Sequence, residues 1–399
     1  MRVLHVNAHL APKGGVETYL LALRPVLEAR GVEPLLAYDD GDPALWPGAE
    51  HVPGLGTPEF GEDDAVRDRL TALIERANPD LVHVHNVQSR GALEAAMATG
   101  RGVMTAHDYR TACPANTFFF KRTETICGRD KVGLGCIPNT LAKKCLTPRP
   151  RIGAYYYHRA GWATDRADRW AAVIAPSGGA RARLVRAGYP EGDLHVAPYF
   201  CPVVPLEAPR PVPERPLLTF MGRIAPGKGH ATFVEALGLL PENVAGLMVG
   251  DFDAGKEAAI RALAERHGCA DRVTLQRWAD RDAVKAVLDR TSVFSFPSLW
   301  PETLGIVGLE AMARGVPVVA SDVGGVREWL EDGRNGRLVP PGDAAALAAG
   351  ARSLLASPET LEAAGRAGID TIRTRFLPEH HADRLLAVYE RALASAGPA

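Results

Sequence analysis

Short apolar runs alternate with longer stretches of helical period along this chain, and no other feature restricts its fold as much. Residues 3–7, 32–38, 81–85, 103–106, 173–175 and 195–197 are strand-like, whereas 17–30 and 64–77 repeat apolar residues at helical spacing. A strand, a helix and a second strand form the unit that joins neighbours in a parallel sheet, with helices covering both faces. The proline-rich stretch 201–216 interrupts the pattern and reads as a linker. Strand-like runs resume near Leu217 and at 245–249, 273–276, 293–296, 316–320 and 336–339. The expected class is therefore α/β, with two doubly wound halves at 1–199 and 200–375.

The segment 301–315 sets two carboxylates where packing does not favour them. Glu302 stands at the mouth of a predicted helix and Glu310 two turns inside it, with Ile306, Val307 and Ala313 as neighbours at helical spacing. An unpaired charge buried on such a stripe is costly. Either Arg314, at i+4, neutralises Glu310, or a ligand rich in hydroxyls accepts its hydrogen bonds.

Earlier in the same half, 217–221 reads as a buried strand, 222–229 as a glycine-rich basic loop, and 230–240 as a helix with Phe233, Ala236, Leu237 and Leu240 on one face. Backbone N–H groups and the positive helix end favour an anion there, and Arg223 and Lys228 add full charges, so a diphosphate is the expected guest. Gly222, Gly227 and Lys228 imitate a P-loop up to its last position, which is Gly229. A P-loop needs a Ser or Thr hydroxyl there to hold magnesium, so that reading fails.

Together, Gly222-Arg223, Lys228-Gly229 and the Glu302/Glu310 pair resemble the retaining glycosyltransferases of family 4, whose GT-B fold sets two Rossmann-like domains facing each other across a cleft. Gly14-Gly15-Val16-Glu17, Thr105-Ala106-His107-Asp108, Ala175-Pro176-Ser177 and Gly324-Gly325-Val326 with Glu328 extend the resemblance over nearly the whole chain. The resemblance implies transfer of a sugar, with retention, from a UDP- or GDP-type nucleotide sugar to a hydroxyl acceptor in polysaccharide, glycolipid or natural-product synthesis. Arg223 and Lys228 would stabilise the leaving diphosphate. Glu310 would bind the ribose hydroxyls and Glu302 the transferred sugar, while Thr303, Leu304 and Gly305 would offer backbone N–H groups to sugar and phosphate. Gly14, Gly15 and Gly222 would lie near the donor phosphates, His107 would contact the sugar, and the departing phosphate would take the acceptor's proton. The terminal segment 376–399 would return to the N-terminal, acceptor-side domain, leaving 200–375 as the donor domain. Two alternatives remain on the same fold: a sugar-nucleotide epimerase or phosphorylase, and a non-catalytic sugar-nucleotide binder.

Composition narrows the partners. The 399 residues are 46% hydrophobic and 23% charged with a net charge of −1, which lacks the basic footprint of a nucleic-acid binder. The first residues already read as a strand rather than a signal peptide, and no apolar run reaches membrane-spanning length, so a cytoplasmic protein is expected, with any membrane contact peripheral. Trp162, Arg166, Arg169 and Trp170 at helical spacing suggest an aromatic and basic face for a membrane or an acidic acceptor. The plainer reading is that the aromatics pack and the arginines face water. Asp251-Phe252-Asp253 resembles a metal-binding D-x-D, but carboxylates in a turn are ordinarily solvated, and no metal cofactor is required. Four of the six cysteines, Cys113, Cys127, Cys136 and Cys145, fall within an insertion at 110–147. Their clustering suggests a structural zinc, although the Cys-x2-Cys knuckle is missing; disulfides and buried free thiols are the alternatives.

Overall fold

A computed structural model describes residues 1–399 except 13, 57–61, 148, 210, 212, 278–280 and 396–399, and except the side chains of 281 and 282. The chain divides into two compact units. One comprises Met1–Thr123, Cys127–Tyr199 and Pro378–Ala399, and the other Phe200–Leu377 with the short piece Glu124–Ile126.

The sheet of the first unit contains β1 (Arg2–Val6), β2 (Glu33–Tyr38), β3 (Glu50–His51), β4 (Leu81–Val84), β5 (Gly102–Thr105), β6 (Ala172–Ala175) and β7 (Leu194–Val196). Its order is β7-β6-β5-β4-β1-β2-β3, and every neighbouring pair is parallel. Every residue of β4, β5 and β6 is buried, as continuous apolar strands are when helices cover both faces of a sheet. The strand order reverses between β1 and β4. Loops leaving the carboxyl ends of strands at such a reversal form the usual ligand crevice of open α/β sheets. The terminal helix Pro378–Ser395 is tied into this unit by Tyr19 Oη to His381 Nε2 at 2.7 Å and Tyr389 Oη to His83 Nδ1 at 2.6 Å.

The second sheet contains β8 (Leu217–Met221), β9 (Ala245–Gly250), β10 (Val273–Arg277), β11 (Val293–Phe296), β12 (Val318–Ser321) and β13 (Gly336–Val339). The order is β10-β9-β8-β11-β12-β13, again parallel throughout, and the reversal lies between β8 and β11. Two sequence expectations shift. Strand β12 starts at Val318 rather than 316, because Pro317 has no N–H for the ladder and Val316 donates its own to the Ala311 carbonyl. The helix expected from Glu302 is Ile306–Ala313, preceded by Gly305 at φ 96, so Glu302 lies in the loop before it.

Candidate functional site

In the second unit the loops after β8 and β11 flank the reversal of strand order. They are stitched together. The Gly227 carbonyl accepts from the Leu299 N–H at 2.8 Å and from Ser298 Oγ at 3.2 Å. Gly229 explains itself sterically: at φ 72 a Cβ on it would stand 1.8 Å from the Pro297 carbonyl oxygen. The hydroxyl that a P-loop requires at this position has no room.

Glu302 is only 6% exposed, and its neutralising partner is Lys228, whose Nζ lies 2.7 Å from Oε1. Ser298 Oγ donates to the same oxygen at 2.7 Å, and the Trp300 indole N–H also bonds it. Lys228 Nζ in turn sits 4.4 Å from the centre of the Trp300 ring. The backbone of Glu302 is held equally tightly. Its carbonyl accepts from the Gly325 N–H at 2.8 Å, and a Cβ on Gly324 would come within 2.0 Å of that oxygen. The Gly324-Gly325 motif therefore seats Glu302. Ser298 and Trp300 were missed by sequence reasoning, although both lie within four residues of Glu302 and carry side-chain donors.

Arg223 is exposed and has no hydrogen bond or ion pair among the described residues. Gly222 closes the strand end, with its N–H on the Val249 carbonyl at 3.0 Å. Thr303, Leu304 and Gly305 lead into helix Ile306–Ala313, whose base is fixed by the Trp329 indole N–H on the Leu304 carbonyl at 2.7 Å. Ile306, Val307 and Glu310 are half-buried, while Gly308, Leu309 and Met312 face the core. Arg314, at i+4 from Glu310, pairs with Asp289 at 2.6 Å. Asp251 and Asp253 have structural tasks: Asp251 accepts from the Ile224 N–H at 2.8 Å, and Asp253 caps helix Ala254–Arg266 through the Lys256 N–H.

In the first unit, Gly14 precedes helix Gly15–Glu28 at φ 100, where a Cβ would meet Glu17 Oε2 at 2.2 Å, whereas Gly15 faces open space. Lys13 lies outside the described residues. His107 follows β5 as expected, but both of its ring nitrogens are engaged: Nε2 with His85 Nδ1 at 2.9 Å and Nδ1 with Tyr199 Oη at 2.7 Å. The chain of imidazoles continues from His85 Nε2 to His5 Nδ1 at 2.9 Å, while His83 bridges Thr105 and Tyr389. Burial pushes His107 and His5 down to about 3, and His83 and His85 fall well below the ordinary value for the same reason, reinforced by their neighbouring histidines. All four are thus neutral at physiological pH. Parallel pairing of His5 with His83 across β1 and β4 assembles this network, a cross-strand contact that no sequence spacing shows.

The segment 162–170 follows the plainer reading, in which the aromatics pack. The helix ends at Thr164, Trp170 is 2% exposed, and Trp162 is covered by the Arg166 and Arg90 guanidinium groups at 4.9 and 5.9 Å. The four clustered cysteines are free thiols that line one cavity together with Phe118, Phe119 and Phe120. No three of their sulfurs lie within 4.8 Å of one another, a wider spacing than a single tetrahedral ion requires. Burial raises Cys113 to about 11 and also raises Cys145, so neither is a reactive thiolate.

Comparison with known proteins agrees with this division. Residues 13–201 match the model of Glycosyltransferase Family 4, and 207–371 that of Glycosyl transferases group 1. Alpha-maltose-1-phosphate synthase of Mycolicibacterium smegmatis is 32% identical over 295 residues, 65% of this chain and 74% of that protein. D-inositol 3-phosphate glycosyltransferase of Segniliparus rotundus is 37% identical over 45% of this chain and 41% of its own length. The 2-deoxystreptamine glucosyltransferase of Streptomyces kanamyceticus is 31% identical over 59% and 62%. The chain thus spans between two fifths and two thirds of these last two relatives. Among solved structures, HepE of Anabaena in complex with UDP and glucose superposes with a TM-score of 0.71 at 19% identity, covering 97% of this chain and 98% of that one. Sucrose-phosphate synthase of Thermosynechococcus elongatus gives 0.71 at 21% identity over 98% and 99%. Likenesses at such identity establish the fold alone: two parallel-sheet α/β domains of GT-B type.

Proposed function

Because the chain belongs to glycosyltransferase family 4, we propose that it transfers a sugar from a UDP- or GDP-type donor to a hydroxyl acceptor with retention of configuration. The observation that carries this reading is the Lys228–Glu302 pair, seated by glycine backbone at the strand-order reversal of the second unit. A nearly buried carboxylate with three donors on one oxygen is pre-ordered, and its other oxygen is the one we assign to the donor sugar's hydroxyls. Lys228 then shares its charge between Glu302 and the leaving diphosphate. The exposed Arg223 adds the second cation, and the N–H groups of Thr303, Leu304 and Gly305 the rest of the cradle.

In the reaction the bond from the anomeric carbon to the β-phosphate oxygen breaks, and the diphosphate leaves with that electron pair. The acceptor hydroxyl attacks from the same face and passes its proton to a phosphate oxygen. Glu310, on the half-buried stripe, is assigned to the ribose. Gly222 and the Gly14-Gly15 turn are assigned to close backbone approach to the donor. His107 is neutral, so its proposed part is a hydrogen bond to the sugar, made by exchanging its Tyr199 partner, rather than general acid chemistry.

A thermal-shift series of nucleotide sugars followed by product analysis tests the reading. A true donor at a hundred times its dissociation constant stabilises by ~2.7 kcal/mol. Stabilisation without transfer or hydrolysis would make the protein a binder only, and a product of inverted configuration would overturn retention. We further assign the four cysteines to one structural zinc, supported by the cavity they share. The sulfurs would have to draw together around it. About one equivalent of zinc by elemental analysis is expected, whereas metal-free protein with four labelled thiols would refute it.

A further inference from the structure

Helix Cys136–Ala142 is amphipathic the wrong way round for a helix facing water. Cys136, Asn139 and Thr140 turn inward to line the cysteine cavity. Leu134, Ile137 and Leu141 are 82%, 57% and 78% exposed. They form one stripe: Leu134 is one turn before Ile137, whose N–H bonds the Leu134 carbonyl at 3.1 Å, and Leu141 is one turn after. Large apolar side chains exposed singly need no explanation, but three in register on one short element mark a surface that meets an apolar partner.

The charge around the stripe identifies that partner. Within residues 127–151, Arg129, Lys131, Lys143, Lys144, Arg149 and Arg151 face a single acidic residue, Asp130, giving this segment a net +5 in a chain whose total is −1. All of these basic residues except the half-buried Lys143 are exposed. A line of exposed aliphatic side chains within a strongly basic, exposed segment matches a membrane interface. The aliphatics enter the acyl boundary, and lysine and arginine stems lie along it with their charges at anionic headgroups. We propose that this insertion docks the protein on an anionic lipid surface. The contact is made by the stripe Leu134, Ile137 and Leu141, not by the aromatic segment at 162–170.

Co-sedimentation with vesicles, with no nucleotide sugar present, tests the docking separately from the transferase reading. The protein is expected to sediment with mixed phosphatidylcholine and phosphatidylglycerol vesicles, to stay in the supernatant when the vesicles are phosphatidylcholine alone, and to be released by high salt. Leu134→Ser with Leu141→Ser should weaken binding at least ~tenfold. Lys131→Gln with Lys144→Gln should weaken it by ~tenfold or more at low salt. Each altered side chain is exposed, so melting temperatures should match the parent. Equal sedimentation with both vesicle types, or unchanged binding by the serine variant, would overturn the proposal. So would a serine variant that instead loses self-association in sedimentation velocity, which would make a second copy of the chain the occupant.

Discussion

The buried histidines should make the first unit unusually sensitive to mild acid. His5, His83, His85 and His381 are at most 4% exposed. Burial lowers His5 to about 3 and His381 to about 4, and takes His83 and His85 well below 6.5. Each is neutral when folded and protonated when unfolded, so below the unfolded value unfolding takes up protons. Stability is therefore complete above about pH 6.5 and falls as the pH drops below it. One unit below that value, each histidine costs ~1.4 kcal/mol, and four together cost ~6 kcal/mol. That rivals the ~5–15 kcal/mol of a whole domain and corresponds to a melting temperature lower by roughly 10–20 °C. His107 is depressed similarly but is only half-buried, and is left out of the sum. Scanning calorimetry between about pH 7.5 and 5.5, in buffers of differing ionisation enthalpy, should show the transition moving down with uptake of roughly three to four protons. A first-unit transition that stays within a few degrees, or uptake below about one proton, would refute the argument.

Three further outcomes follow from the second unit. Arg223→Ala and Lys228→Met should each lower turnover by the ~2.7–4 kcal/mol typical of a lost electrostatic clamp, and turnover within threefold of the parent would remove both from the site. In calorimetry, Glu310→Gln should weaken both the nucleotide sugar and the free nucleoside diphosphate, whereas Glu302→Gln should weaken only the former; equal losses in both variants would defeat the assignment. Gly229→Ser should destabilise the second unit by about 2 kcal/mol or more, through its positive φ and the Pro297 carbonyl, without creating magnesium dependence; an unchanged melting temperature would contradict the steric argument.

The strands were legible because parallel strands covered on both faces are continuous apolar runs, and 293–296 and 336–339 coincide with the observed strands. The two-residue strand Glu50–His51 was not, since it is too short and polar to carry a pattern. At the site, glycines and charges with backbone tasks were readable locally. Partners that depend on distant chain were not: Arg314 meets Asp289, 25 residues away, and His5 meets His85 only because β1 and β4 pair. The exposed stripe at 134–141 also escaped notice. Spacing shows which residues share a helix face, but not whether that face turns inward.

The terminal helix has a consequence for synthesis. Tyr19 waits for His381, 362 residues later, and His83 for Tyr389, 306 residues later, so the first unit cannot complete these buried hydrogen bonds until residues 381 and 389 have left the ribosome. Apart from Glu124–Ile126, the second unit is one continuous stretch and needs no such delay. The half of the chain made second is thus free to finish folding first. A chain stopped before Pro378 would retain the second unit's residues and deprive Tyr19 and His83 of one hydrogen-bond partner each.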